Sequence, residues 1–275
     1  MRFGLSVPCF GEEPRFFGEL AREVEGAGWD GLFLWDHIRW RTHYHGPILD
    51  PWVLLSVAAM ATDRIRLGTL VTPPARRRAA KLAKETVSVD RLSNGRLVLG
   101  VGLGWPPDVD FGNLGDEGDN RVRAEIFEET LDALLGFWSA EPFAYDGKHL
   151  HITSTHLTPG PLQQPHPPIW VGAKWPNRKP FARAARWDGV APVMDDRAMT
   201  PADITELLEL IGEKRGSLDG YEVVYGGRSE PGSAGAEHIA PFAEAGVTWW
   251  VEAMKPEGNW QTESLRRAAA GPSLG

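Results

Sequence analysis

Apolar residues recur along this chain in two periods that alternate from end to end. Residues 2–8 and 31–37 are short apolar runs bounded by charge, glycine or proline, the pattern of buried strands. Between them Phe16, Phe17, Leu20, Val24 and Ala27 fall at helical spacing, behind Pro14 and ahead of Gly28, which predicts a capped helix. The alternation continues with a helix over 51–61, a strand over 65–72, a helix over 75–90 and a strand opening at Arg96. It then breaks. Residues 121–138 read as a long helix with Ile126, Phe127, Leu131, Leu134, Leu135 and Trp138 on its apolar side. An Asp146-Gly147 turn predicts a hairpin after it, and LTPGPLQQPHPP reads as an extended connection. Strands resume at 169–173, 189–193, 221–225 and 248–254, each with a helix behind it. Thr200-Pro201-Ala202-Asp203 is a helix start with an acid in the first turn. Eight strands, each followed by a helix, predict an α/β fold: a (β/α)8 TIM barrel with a helical and hairpin insertion after strand four, in one domain over 1–275.

The fourth strand carries the most information. In RLVLGVGLGWPPDVDF, Leu97, Leu99, Val101 and Leu103 alternate with Val98, Gly100, Gly102 and Gly104, so three glycines share one face. Such a bare flank admits either a flat ligand or the backbone of a neighbouring strand. Barrel active sites lie at the C-terminal ends of the strands. That rule nominates Cys9, Trp35, Asp36, His37, residues 69–72, 102–105 and 172–175, and Glu252. Rings and glycines outnumber nucleophiles, as suits a site that holds a planar ring.

Composition narrows the function. The chain has 275 residues, 42% of them hydrophobic, enough for one sizeable core. A formal charge of -8 argues against nucleic acid, and no run approaches the roughly 20 apolar residues of a membrane span. A single cysteine excludes an internal disulfide and suits the cytoplasm, and Cys9 reads as a small buried hydrophobe. Twelve tryptophans are many, and several are expected at the barrel mouth. The phosphate-loop, dinucleotide, nucleophile-elbow and CxxC motifs are all absent. His43-x-His45 and His149-x-His151 lack the companions of a metal motif, so no metal is expected. His37 suits proton transfer at the mouth, or alternatively tying down the loop behind it. The cations Arg76, Arg77, Arg78, Lys81 and Lys84 oppose a helix dipole, and call for an anion or for solvent. A second anion site is suggested by Gly172, Ala173 and Lys174, which lead into a helix start with Arg178 and Lys179.

The runs GTLVTPP, KLAKETVSVDRLSNGRLVLGVGLGWPPDVDF, GPLQQPHPPIWVGAKWP and AARWDGVAP together resemble the bacterial luciferase-like family of flavin- and deazaflavin-dependent oxidoreductases. The resemblance spans strand one to strand eight. It implies a cytoplasmic TIM-barrel enzyme, a homodimer, using reduced FMN or coenzyme F420, supplied by a reductase, on a small organic substrate. Thr69, Leu70, Val71 and Thr72 resemble the bulged third strand, often with a non-prolyl cis peptide, that backs the ring. Gly102, Leu103 and Gly104 match the segment along the cofactor, and Gly172, Ala173 and Lys174 the phosphate turn. His37 is then a proton donor or substrate anchor, and Trp35, Trp40 and Trp105 are substrate walls. Family members acting on sugar phosphates carry an acid right after the glycine strand; Trp105 stands there, against such a substrate. Two alternatives remain at this stage. One is a carrier of the cofactor without catalysis; the other is a glycosidase pairing carboxylates among Asp36, Asp108, Asp110 and Glu252.

Overall fold

The structure, a computed structural model, describes residues 1–273 of the chain. Eight parallel strands close into a barrel: β1 (Arg2–Val7), β2 (Gly31–Leu34), β3 (Arg66–Thr69), β4 (Leu97–Val101), β7 (Ile169–Lys174), β8 (Gly189–Val193), β9 (Glu222–Gly227) and β10 (Trp249–Ala253). Around the ring they run β1-β10-β9-β8-β7-β4-β3-β2, so the third, fourth and fifth barrel strands are β3, β4 and β7 side by side. Helices α1 (Arg15–Gly26), α2 (Pro51–Ala61), α3 (Ala79–Leu92), α5 (Arg178–Ala184), α6 (Pro201–Arg215), α7 (Ser233–Glu244) and α8 (Trp260–Ala269) follow strands and cover the outside. The insertion is α4 (Asn120–Trp138) with the antiparallel pair β5 (Phe143–Asp146) and β6 (His151–Thr155). The expected barrel and its expected interruption are both present. Among the described residues no helix is long and apolar enough to cross a membrane.

Two apolar layers result from the period-2 alternation of each strand. Leu5, Val7, Leu32, Leu34, Leu97, Leu99 and Ile169 face the helices, whereas Phe33, Val98, Trp170, Ala191, Val224, Trp249 and Val251 fill the barrel. Phe33, Trp170 and Trp249 meet with ring centroids 5.1 to 5.6 Å apart. Both indole N–H groups donate to Glu222, at 2.7 and 2.9 Å, and Arg2 closes the same carboxylate at 2.7 Å. This aromatic plug stops the N-terminal end of the barrel. The twelve tryptophans are thus divided: Trp29, Trp170, Trp249 and Trp250 are fully buried, and only Trp105 is largely exposed.

Other features of the fold have local causes. Helix three starts at Ala79 because Pro73 and Pro74 force a 3-10 turn over Pro74–Arg76 and an extended break follows. The run DRLSNGR braces the fold. Asp90 accepts the amides of Leu162 and Gln163 at 2.6 and 3.2 Å, which fastens the proline-rich connection. Arg96 turns back onto the carbonyls of Ala59, Thr62 and Ile65, where α2 has ended. Asn94 and Gly95 make the reversal between them with φ of 56° and 78°.

The β4 glycines are explained by the strand beside them. Pairing runs Gly68↔Val98 and then Thr72↔Val101, so four steps on β3 match three on β4. The extra residue is a bulge. A Cβ on Gly100 would lie 2.0 Å from the Thr69 carbonyl oxygen, and one on Gly102 2.5 Å from a Val71 methyl. The bare flank is therefore filled by β3 at Gly100 and Gly102 and by Phe111 and Pro73 at Gly104, and the surface left open beside it is the bulge itself. Gly100→Ala is expected to lower stability by about 3 kcal/mol, while Gly118→Ala, with nothing near its Cβ, shifts it by less than about 0.5 kcal/mol. Equal urea midpoints for the two variants would contradict this packing.

Candidate active site at the barrel mouth

The bulge carries Leu70 and Val71 to the C-terminal mouth, with a cis peptide between them, as the resemblance implied. Leu70 packs on the apolar filling of the barrel below. Both side chains are half-exposed, whereas Thr69 and Thr72 are fully buried. The hydroxyl of Thr69 donates to the Gly100 carbonyl at 2.8 Å and that of Thr72 to Asp36 at 2.7 Å. Of the four third-strand residues nominated, two thus reach the mouth and two hold the strand. Register Val101↔Val171 sets Gly102 and Gly172 next to each other. A Cβ on Gly172 would lie 3.1 Å from Val71, so this valine lies over both glycines. Leu103 and Gly104 continue the surface half-exposed; Ala173 is buried. Residues nominated on three separate stretches form one continuous arc across β3, β4 and β7.

Beyond the arc, the β2 end brings in charge. Asp36 is buried and accepts from Arg76 at 2.7 Å and Arg77 at 2.9 Å. Arg76 also reaches Asp110 at 2.8 Å, within ion-pair distance but too far off line for a hydrogen bond from that nitrogen. Two cations thought to need an anionic ligand or solvent are thus turned inward, onto the chain's own carboxylates. Asp110, from the loop after the glycine strand, accepts the amides of Ile38 and Arg39, both at 2.8 Å. Its other oxygen lies 3.0 Å from Nδ1 of His37. Burial would raise the Asp110 carboxyl, but the His37 hydrogen bond, Arg76 and the Arg39 amide outweigh it and hold the group below its ordinary range. An ionised carboxylate only accepts, so the imidazole donates to it from Nδ1, and Nε2 is left without a partner among the described residues. The sequence reading placed Asp110 only among paired carboxylates and missed this link. Its one legible signal was an acid in the loop leaving the glycine strand.

The other nominated side chains divide by what already engages them. Trp35 donates to Ser6 at 2.9 Å and stands edge-on to His37, with centroids 6.2 Å apart. Trp40 packs on Phe10 and Tyr44 at 5.3 and 5.6 Å, bracing the loop behind β2. Trp105 is 56% exposed at the rim. Lys174 is paired with Asp195, whereas Arg178 and Lys179 at the start of α5 have no carboxylate partner among the described residues. Burial pushes the Cys9 thiol up, in keeping with a small hydrophobe. His149 and His151 are engaged separately, by Glu125 and Asp146 at 2.7 Å each. Glu252 is buried and engaged by Ser229, Trp250 and Arg267, and Asp36 and Asp110 share Arg76. None of these three carboxylates is free to work on a glycosidic bond, which removes the glycosidase alternative.

The depressed Asp110 carboxyl has a consequence with a definite sign. It contributes stability above the unfolded carboxyl range of about 4, and that contribution fades as pH falls through the lower folded value. Asp110→Asn is expected to cost about 3 kcal/mol at pH 7 by leaving Arg76 half-compensated, and clearly less at pH 3. Urea unfolding at both values measures the difference; an equal penalty at the two would contradict the assignment.

Comparison with known proteins follows the same lines. The family model described as luciferase-like monooxygenase matches residues 1–227. The oxygenase component of a flavin-dependent trigonelline monooxygenase from Acinetobacter baylyi is 31% identical over 166 residues, 60% of this chain and 44% of that one. An F420-dependent glucose-6-phosphate dehydrogenase from Nakamurella multipartita is 28% identical over 228 residues, 80% of this chain and 65% of that one. Among solved structures, an F420-dependent secondary alcohol dehydrogenase with an F420–acetone adduct superposes with a TM-score of 0.79 over 98% of both chains, at 15% identity. With a continuous arc from the β3 bulge to the β7 turn, and a family model covering its first 227 residues, the chain belongs to the luciferase-like monooxygenase family.

Proposed function

We propose that this chain is an oxidoreductase working with reduced FMN or coenzyme F420 on a small organic substrate. The observation that carries the reading is the arc: a half-exposed apolar floor at Leu70 and Val71, continuous through Gly102–Gly104 with the Gly172–Lys174 turn. An apolar floor at one end suits a flat tricyclic ring. At the other end, the uncompensated Arg178 and Lys179 suit an anionic tail. The residues fit either ring. The cofactor supplies the electron or hydride chemistry when bound. What the chain's own residues do is narrower. Leu70 and Val71 support the ring, and the β7 turn with Arg178 and Lys179 holds the phosphate. Nε2 of His37 takes or gives the substrate's proton, because Asp110 keeps the opposite nitrogen protonated. Trp35 and Trp105 flank the substrate and limit water. A separate reductase supplying the reduced cofactor belongs to the same reading.

His37→Ala is expected to lower kcat about 10²–10⁴-fold, the usual contribution of a positioned acid or base, while leaving cofactor affinity unchanged. Steady-state turnover and a cofactor titration on the same sample test it. Unchanged turnover would take His37 out of the mechanism.

A further inference from the structure

Among the described residues, Arg39 is the one arginine or lysine that is sheltered from solvent yet has no side-chain partner. Every other half-buried or buried arginine is engaged: Arg66 by Gln163, Arg76 and Arg77 by Asp36, Arg96 and Arg123 by backbone carbonyls, Arg183 by Glu128, Arg267 by Glu252. The unpaired lysines and remaining unpaired arginines are exposed. A half-buried guanidinium left without a carboxylate keeps its fork of donors free for an anion.

Its surroundings give the anion a body. Arg39, Thr42, Val109, Asn113 and Leu114 line a cleft of about 270 Å³ between the loop after β2 and the loop after β4. Leu114, 44% exposed, is an apolar wall of the cleft, and the buried Val109 lies beside it. Asp110 ties this cleft to the reacting centre. One of its oxygens holds the Arg39 amide at 2.8 Å and the other the His37 ring at 3.0 Å. A single buried carboxylate therefore holds both the backbone that carries Arg39 and the imidazole of His37.

We propose that this cleft is the substrate's anchoring subsite, and that the substrate class is a small apolar or aromatic carboxylate. The planar fork of Arg39 matches a carboxylate in a bidentate pair, with the Thr42 hydroxyl and Asn113 amide at its flanks. A phosphate dianion fits less well: the cleft offers one cation, and the loop forming its wall also carries Asp108, Asp116 and Glu117. This inference rests on the reading of the mouth as an oxidoreductase site, whose substrate it names by class.

Isothermal titration of benzoate, benzamide and phenyl phosphate tests it, into wild-type protein and Arg39→Ala, each with and without saturating FMN or F420. Because Arg39 is engaged in the fold only through its backbone, the variant is expected to keep its melting temperature; Asn113→Leu, which narrows the polar flank, is the second probe. Benzoate is expected to bind wild type, to weaken about tenfold or more in Arg39→Ala, and to outcompete both benzamide and phenyl phosphate. The proposal is overturned if benzoate binds neither form of the wild type, if Arg39→Ala leaves its affinity unchanged, or if benzamide or phenyl phosphate binds as well. Failure of FMN and F420 to bind the same wild-type sample would instead strike the oxidoreductase reading, whatever the carboxylate does.

Discussion

Arg76 sits between Asp36 and Asp110, and the mouth of this barrel is organised by that one shared guanidinium. Asp36 follows the second strand, Arg76 precedes the third helix and Asp110 comes from the loop after the fourth strand. Burying two carboxylates is expensive unless each is paired and hydrogen-bonded. Here Thr72 and Arg77 complete Asp36, and His37 with two backbone amides completes Asp110. The same groups that satisfy the charges also set the geometry: the hydroxyl of Thr72 anchors the far side of the bulge, and Asp110 fixes the orientation of the His37 imidazole through Nδ1. Phe111 adds to the arrangement, with Arg123 on its ring at 4.1 Å and Arg76 at 5.3 Å.

The second constraint is room. A bulge on β3 puts an extra residue against β4, and only glycine at positions 100 and 102 leaves space for it. The bulge lifts Leu70 and Val71 into the mouth, and Val71 reaches across to Gly172 on the next strand but one. Small residues on two strands thereby present the side chains of a third. Below this surface the plug of Phe33, Trp170 and Trp249 fills the barrel.

Much of this was legible in the residues. Alternating periods and the count of strands gave the barrel and its insertion, because helix and strand periods differ sharply where one face is buried. The glycines of β4 flagged a close approach, although periodicity says only that a face is bare, not what covers it. Side-chain direction was harder. A run such as Arg76, Arg77 and Arg78 looks like a solvated patch until the fold shows that two of the three turn inward, and no spacing rule pairs Asp110 with His37 seventy-three residues earlier. The tryptophans could not be sorted for a related reason: an aromatic count is the same for a plug as for a mouth. Trp105 alone stands at the rim in the open, while Trp40 is spent on Phe10 and Tyr44.

The account rests on the arc from β3 to β7 receiving a flavin-type ring, and the most direct measurement is a side-by-side fluorescence titration of the purified chain with FMN and with F420. Saturable binding of one of them in the micromolar range or tighter, weakened when Arg178 and Lys179 are both replaced by alanine, is the predicted result. Stopped-flow mixing of the reduced complex with oxygen then separates an oxygenase, which reacts fast through a transient adduct, from a hydride-transfer enzyme, which reacts slowly. Saturation by neither cofactor would contradict the account at its centre.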